Sequence, residues 1–315
     1  MPGRRLGGSG PEIFPLVLGG NVFGWTVDEA TSFRLLDEFV AAGGNLIDTA
    51  DVYSSWAPGN HGGESESIIG RWLERSGQRE RVLLATKVGQ EMGPSKKGLS
   101  GRYIDAAVQA SLRRLRTDRV DLYQAHIDDE ETPIEETLEA LSKLVTDGTV
   151  GAIGASNYRA DRLEEALRVS HDRGLTPYRS LQPLYNLYDR AEYEAALEGV
   201  CTRHRLAVFT YSSLASGFLT GKYRTVHDFG KSPRGPRMRR MLNERGIRIV
   251  DALREVGHAA DATPAQVALA WLLARPSVTA PIASATSVEQ LRELLGATEL
   301  VLPRSAIDLL DRASV

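Results

Sequence analysis

Short apolar runs alternate along the chain with longer stretches in which Leu, Ile, Val and Ala recur at helical spacing. The runs predict strands over residues 14–18, 46–48, 82–87, 122–126, 152–156, 180–182, 207–211 and 278–282. The helical spacing predicts helices over residues 28–42, 64–75, 102–115, 133–147, 160–173, 191–204, 246–260, 264–274 and 287–295. The first of these opens on Asp28, carries Phe33, Leu35, Leu36, Phe39 and Val40, and stops at Gly43 and Gly44. Pro133 and Pro264 stand where a helix tolerates proline, in the first turn. Strict alternation of strand and helix implies a parallel sheet, and eight repeats of it imply closure into an α/β (β/α)8 TIM barrel, one domain over residues 1–315. A doubly wound open sheet is the competing architecture. It would be favoured by Gly-x-Gly-x-x-Gly after the first strand, and Gly19-Gly20-Asn21-Val22-Phe23-Gly24 lacks that spacing. The three-residue period of Gly148, Gly151 and Gly154 needs no more than a tight turn before the fifth strand.

After the seventh strand comes a long insertion. Between Lys222 and Arg245 lie eight Lys or Arg residues and two acids, and Gly230, Pro233, Gly235 and Pro236 rule out a continuous helix. The expectation is a mobile basic loop.

Composition narrows the function classes. A 42% hydrophobic and 25% charged chain of 315 residues buries a sizeable core. A net charge of -3 and a pI near 6.1 give no global attraction for nucleic acid or an anionic membrane, which leaves a small molecule as the expected partner. Cys201 is the only cysteine, so neither an intrachain disulfide nor a thiolate zinc site can form. Residues 1–10 hold no apolar signal-peptide core and no run approaches a membrane span, so the expectation is a soluble cytoplasmic protein. Oligomeric state is not legible in the sequence.

The predicted strands end on Asp48, Lys87, His126, Ser156 with Asn157, Gln182 and Tyr211, and Tyr53 follows Asp48 in the adjoining loop. Barrel enzymes build their sites on that carboxyl-terminal face. Taken singly, each residue has a plain structural reading: Asp48 as a turn cap, Lys87 reaching solvent, His126 as a satisfied buried imidazole, Tyr53 as packing. Converging on one mouth, they suit one chemistry. A phenol with a pKa near ~10 is a poor acid at neutral pH, and a nearby ammonium lowers that pKa. Lys87 would do this for Tyr53, with Asp48 as its counter-charge, while His126 hydrogen-bonds a carbonyl oxygen. The set can protonate a developing alkoxide but holds no nucleophile.

Over nearly its whole length the chain resembles the aldo-keto reductase superfamily. The resemblance is carried by Asn45-Leu-Ile-Asp-Thr-Ala-Asp-Val-Tyr53, Ala85-Thr-Lys-Val88, Asp121-Leu-Tyr-Gln-Ala-His126, Gly151-Ala-Ile-Gly-Ala-Ser-Asn157, the segment from Tyr211 to Tyr223, and Pro264-Ala-Gln-Val-Ala-Leu-Ala-Trp-Leu272. The superfamily's catalytic tetrad falls on Asp48, Tyr53, Lys87 and His126. The resemblance implies reduction of an aldehyde or ketone by a nicotinamide cofactor, NADPH with NADH possible, lying extended across the mouth. It places Ser156, Asn157 and Gln182 at the carboxamide, Tyr211 against the ring, Ser212, Leu214, Gly217 and Lys222 at the pyrophosphate, and Gly20 and Asn21 beside the cofactor. The basic loop would then be a lid over the phosphates. Ser284, Thr286, Gln290 and Glu293 match the adenosine end. There Leu294 replaces an often-seen asparagine, which implies a weakened preference for NADPH or dual use. Ser287 with Gln290 is equally a capping box that needs no ligand. Trp25, Trp56 and Tyr188 are proposed to line the substrate pocket.

Two other readings remain open. One is a cofactor-sensing regulatory subunit like the potassium-channel β subunits, which share the barrel and the tetrad. The other is a metal-dependent hydrolase using His126 with Asp128 or Asp129, although His61, His171, His204, His227 and His258 show no ligand spacing.

Overall fold

The computed structural model describes residues 4–315, so the first three residues of the expected amino-terminal segment lie outside the described residues. Eight parallel strands close into one barrel: β1 Val17–Gly19, β2 Leu46–Asp48, β3 Leu83–Val88, β4 Val120–Ala125, β5 Val150–Ser156, β6 Ser180–Gln182, β7 Ala207–Thr210 and β8 Ala280–Ala283. Pairing of Val17 with Ile282 shuts the ring. Outside it run α1 Glu29–Ala41, α2 Glu64–Ser76, α3 Gly101–Leu115, α4 Ile134–Thr146, α5 Ala160–Arg173, α6 Glu198–His204, α7 Glu244–Ala259, α8 Pro264–Leu273, α9 Val288–Gly296 and α10 Arg304–Ser314.

Strand side chains alternate between two cores. Outward residues such as Leu84, Tyr123, Ile153 and Val208 pack under the helices. Inward residues Val17, Leu46, Ala85, Leu122, Ala207, Phe209 and Ala280 fill the barrel, so it is packed rather than open. One interior level is polar. Lys87 stands in register with Gln124, Gln124 with Gly154, and Gly154 with Ser180, directly above the apolar floor.

The floor has a plug that the sequence pattern does not announce. Arg5 and Glu12 form an antiparallel bridge, and the residues that follow each of them, Leu6 and Ile13, enter the barrel's inner core. Arg4 fixes this hairpin by donating to the carbonyls of Leu273, Val278 and Thr279. A tenth helix, α10, is also unannounced. Its Asp311 accepts from the Trp271 indole at 3.0 Å and pairs with Arg190, tying the carboxyl-terminal end to α8.

Several boundaries move. β4 runs from Val120 and stops at Ala125, so His126 lies just past the strand instead of ending it. Tyr211 likewise follows β7 and makes a single bridge to Leu184. The helix expected over 191–204 begins as a wide π-type turn, Tyr193–Leu197, before α6. The insertion expected as a mobile loop is folded. It contains two short helical turns, Val226–Lys231 and Gly235–Arg240, the first closed by a capping box between Thr225 and Asp228, and Tyr223, Met238 and Met241 anchor it in the core. Among the described residues no helix is long and apolar enough to cross a membrane.

Candidate active site

β2 delivers Asp48 and β3 delivers Lys87 to the same point inside the barrel mouth. The Lys87 side chain has no exposure, so its ammonium depends entirely on the partners around it. It has three: Asp48 Oδ2 at 2.7 Å, the Thr49 carbonyl at 2.8 Å and the Tyr53 hydroxyl at 2.8 Å. All three N–H donors are used, which fixes the ammonium in space. Tyr53 reaches back from its loop and donates to Asp48 Oδ2 over a longer 3.2 Å. Gln182, at the end of β6, donates to the other Asp48 oxygen at 2.8 Å and so joins strand ends that lie far apart in sequence. The His126 ring lies edge-on to Tyr53 with centroids 6.0 Å apart, and its Nδ1 is buried without a partner.

Electrostatics alter one expectation. Lys87 was expected to lower the Tyr53 pKa, yet in this arrangement the phenol is pushed well above its ordinary range, first by burial and then by the negative charge of Asp48. Burial also pushes the Lys87 amine down, while Asp48 holds it up. His126 is driven well below its usual value by burial and by Lys87, so its imidazole is neutral and carries one N–H donor. The mouth therefore stores a neutral phenol, with the cation already hydrogen-bonded to the oxygen that becomes charged when the proton leaves.

The positions matched to the carboxamide and ring form one network. Asn157 adopts a left-handed backbone (φ 57°) and donates to the His126 carbonyl at 2.9 Å and to Ser156 Oγ at 3.0 Å. Tyr211 donates to Asn157 Oδ1 at 2.7 Å, and Ser156 donates to the Gln182 carbonyl.

The segment after β7 holds the residues matched to the pyrophosphate. Ser212, Ala215, Ser216 and Gly217 all have positive φ, and the N–H groups of Ala215 and Gly217 are spent within the turn on the carbonyls of Ser212 and Leu214. Leu214 and Gly217 sit within that turn, and a Cβ on Gly217 would lie 3.9 Å from Lys222 Nζ, so the lysine covers it. Among the described residues neither Lys222 nor Arg234 has a carboxylate within ion-pair distance. Arg234, which sequence reasoning counted but did not single out, reaches across the mouth from the insertion. Its guanidinium lies 5.2 Å from the Trp25 ring and 3.5 Å from Asn21 Oδ1. Two cations without a carboxylate partner beside a tight, positive-φ turn suit the diphosphate of a dinucleotide.

The remaining matched residues divide. Asn21 accepts from Ser284 at 2.7 Å, joining the first and last loops of the barrel. The Gly20 N–H donates to the Asp48 carbonyl, and a Cβ there would strike Ser65 Oγ at 2.7 Å, so this glycine sets how closely the loop approaches the acid. At the adenosine end Gln290 accepts from both the N–H and the hydroxyl of Thr286. Ser287 caps Gln290 N–H, but Gln290 does not return to Ser287, so the expected capping box is only half formed. Glu293 is half-buried with its carbonyl engaged by Gln266, and Leu294 is buried in the core.

On the substrate side Trp25 and Trp56 meet edge to face at 5.7 Å, and Trp56 leans over Tyr53 at 6.1 Å. Tyr188 has the guanidinium groups of Arg240 and Arg245 at 5.6 and 4.7 Å from its ring centre and donates to the Arg240 carbonyl, which ties it to the insertion.

The metal-hydrolase reading loses its ligands here. Asp128 is paired with Arg162, and Asp129 accepts from the Leu99 N–H and Thr132. Among the described residues no group of three or more His, Cys, Asp or Glu is placed to hold a metal ion.

Residues 15–315 match the model of the Aldo/keto reductase family. The chain belongs to that family. An uncharacterized oxidoreductase, YrpG, of Bacillus subtilis is 36% identical over 97% of this chain and 94% of its own length. An aldo-keto reductase of Schizosaccharomyces pombe whose name specifies NADP(+), yakc, is 31% identical over 98% of this chain and 89% of its own. A probable voltage-gated potassium channel subunit beta of Oryza sativa is 32% identical over 99% of this chain and 95% of its own. This family member thus has relatives named as oxidoreductases and as channel subunits.

Proposed function

We propose that this aldo/keto reductase reduces an aldehyde or ketone to the alcohol at the barrel mouth, with Tyr53 as the proton donor. The observation that carries the reading is the Lys87 ammonium, held by Asp48 and Thr49 and aimed at the Tyr53 oxygen at 2.8 Å. When bound, the nicotinamide cofactor supplies the hydride. Ser156, Asn157 and Gln182 would hold its carboxamide, Tyr211 its ring, and the 212–217 turn with Lys222 and Arg234 its diphosphate. NADPH is the proposed cofactor, with NADH as an alternative, because the adenosine end shows hydroxyls and amides more than free cations.

Each chain residue then has a task. Tyr53 turns its hydroxyl from the long bond to Asp48 toward the carbonyl oxygen. Proton transfer leaves a phenolate facing the ammonium, an interaction that strengthens only as the reaction proceeds. The neutral His126 offers its N–H to the same oxygen, and Trp25 and Trp56 exclude water from it.

A second reading is favoured by the channel-subunit relatives: a protein that binds the cofactor and turns over little. One experiment separates the two. A panel of aldehydes and ketones is offered with NADPH and with NADH, and nicotinamide absorbance is followed. Turnover of an activated aldehyde such as 4-nitrobenzaldehyde is expected. Tight cofactor binding with no carbonyl reduced would transfer the reading to the second class.

A further inference from the structure

Between the barrel and helices α2 and α3, behind Lys87, lies a polar cluster that the proposed chemistry does not use. Asp51 stands in the turn between Asp48 and Tyr53, is 2% exposed, and its Oδ1 has no hydrogen-bond partner. Its backbone N–H points to the Lys87 carbonyl at 3.4 Å. Glu66, on α2 and fully buried, accepts from Thr86 Oγ1 and from Arg114 Nε, both at 2.6 Å. Arg114 also donates to Ser111 at 3.2 Å. The Tyr123 hydroxyl on β4 is buried in the same layer, again without a partner.

The cluster is short of positive charge. The one guanidinium in the cluster, Arg114, is bonded to Glu66 and acts on Asp51 only through space, and Lys87 is already bound to Asp48 on the opposite side of β3. The groups that act on Asp51 are Glu66 from α2, Arg114 and Tyr103 from α3, Lys87 from β3 and Tyr123 from β4. Burial and the charge of Glu66 push the Asp51 carboxyl up to about 7, against the pull of Arg114 and Lys87. In the other direction, Asp51 and Glu66 both favour the charged form of Lys87.

We propose that Asp51, buried behind Lys87 beside Glu66, is a positioning residue: by gaining or losing a proton it sets how firmly Lys87 keeps its ammonium. Asp51 does not touch the reacting atoms. It acts through Lys87, and so decides over which pH range Tyr53 faces a cation.

The role rests on the reductase reading, so its test combines a kinetic and a non-kinetic readout. In the full-length protein with NADPH, the pH profile of aldehyde reduction is compared between wild type and Asp51→Asn. In parallel, the Lys87 side-chain nitrogen is titrated by NMR in lysine-labelled protein. The expected wild-type profile has an inflection near pH 7 that Asp51→Asn abolishes. The same variant is expected to move both the alkaline decline and the Lys87 midpoint to lower pH. If no carbonyl is reduced, the NMR midpoint still decides: a lowered midpoint supports Asp51 while the reductase reading falls. Superimposable profiles and an unmoved midpoint would overturn the proposal. Should Asp51→Asn not fold, Glu66→Gln is expected to move the inflection below that of wild type, and an unmoved inflection is the overturning result.

Discussion

Asp48 ends β2 and Asp51 lies in the turn that follows, and both are 2% exposed, yet the fold treats them differently. Asp48 faces into the barrel, where Lys87, Tyr53 and Gln182 occupy both its oxygens. Asp51 faces the helices with one oxygen unpartnered, while the Arg114 guanidinium nearby is bonded to Glu66. Burial is equal, so the difference lies in the partners. The paired carboxylate holds a cation in place, whereas the unpaired one is free to take up a proton near neutrality.

Removing the cation from the well-partnered side gives the largest expected effect. Lys87→Met leaves Asp48 buried without its counter-charge. It is expected to cost about 3–5 kcal/mol of stability by urea denaturation and to abolish turnover. An undiminished midpoint would mean that the Asp48 site is wetter than its geometry implies.

On the unpaired side the sign reverses. A carboxyl whose folded pKa is raised contributes stability that is present below its unfolded value near 3.8 and is lost as pH rises through about 7. Asp51→Asn removes that loss. The variant is expected to gain on wild type as pH rises from about 4 to about 7, by up to about 4 kcal/mol from the size of the shift. Thermal melts across that range check it, and a constant difference would show that Asp51 does not titrate there.

The smallest expected effect concerns the insertion. Arg234→Met removes one uncompensated cation facing the mouth. It is expected to raise the NADPH Kd about tenfold, or roughly 1.4 kcal/mol, with a shallower dependence on salt. Fluorescence titration at two ionic strengths measures both. Unchanged affinity would leave Arg234 as a support for Trp25 alone.

The barrel was legible because its repeat is local: each apolar run, its terminal polar residue and the following helical spacing can be read without knowing the ring closes. The meeting of Asp48, Lys87 and His126 at one mouth was legible for the same reason, since all three follow apolar runs. What escaped depends on contacts distant in sequence. Leu6 and Ile13 plug a floor built by strands far along the chain, and α10 gains its place from Asp311 meeting Trp271 and Arg190. The Tyr53 pKa was misjudged because spacing brings Lys87 near the phenol but carries no information about desolvation, which outweighs it. Tyr188 was assigned to the pocket by its aromatic character, and its contacts with the arginines of the insertion could not be read from spacing.

The central claim is that the phenol held against Lys87 delivers the proton. It is tested most directly by aldehyde reduction at saturating NADPH in Tyr53→Phe beside wild type. Loss of a transition-state proton donor alone predicts a fall in kcat of about 10²–10⁴ with cofactor binding unchanged. Reduction at the wild-type rate by Tyr53→Phe would contradict it.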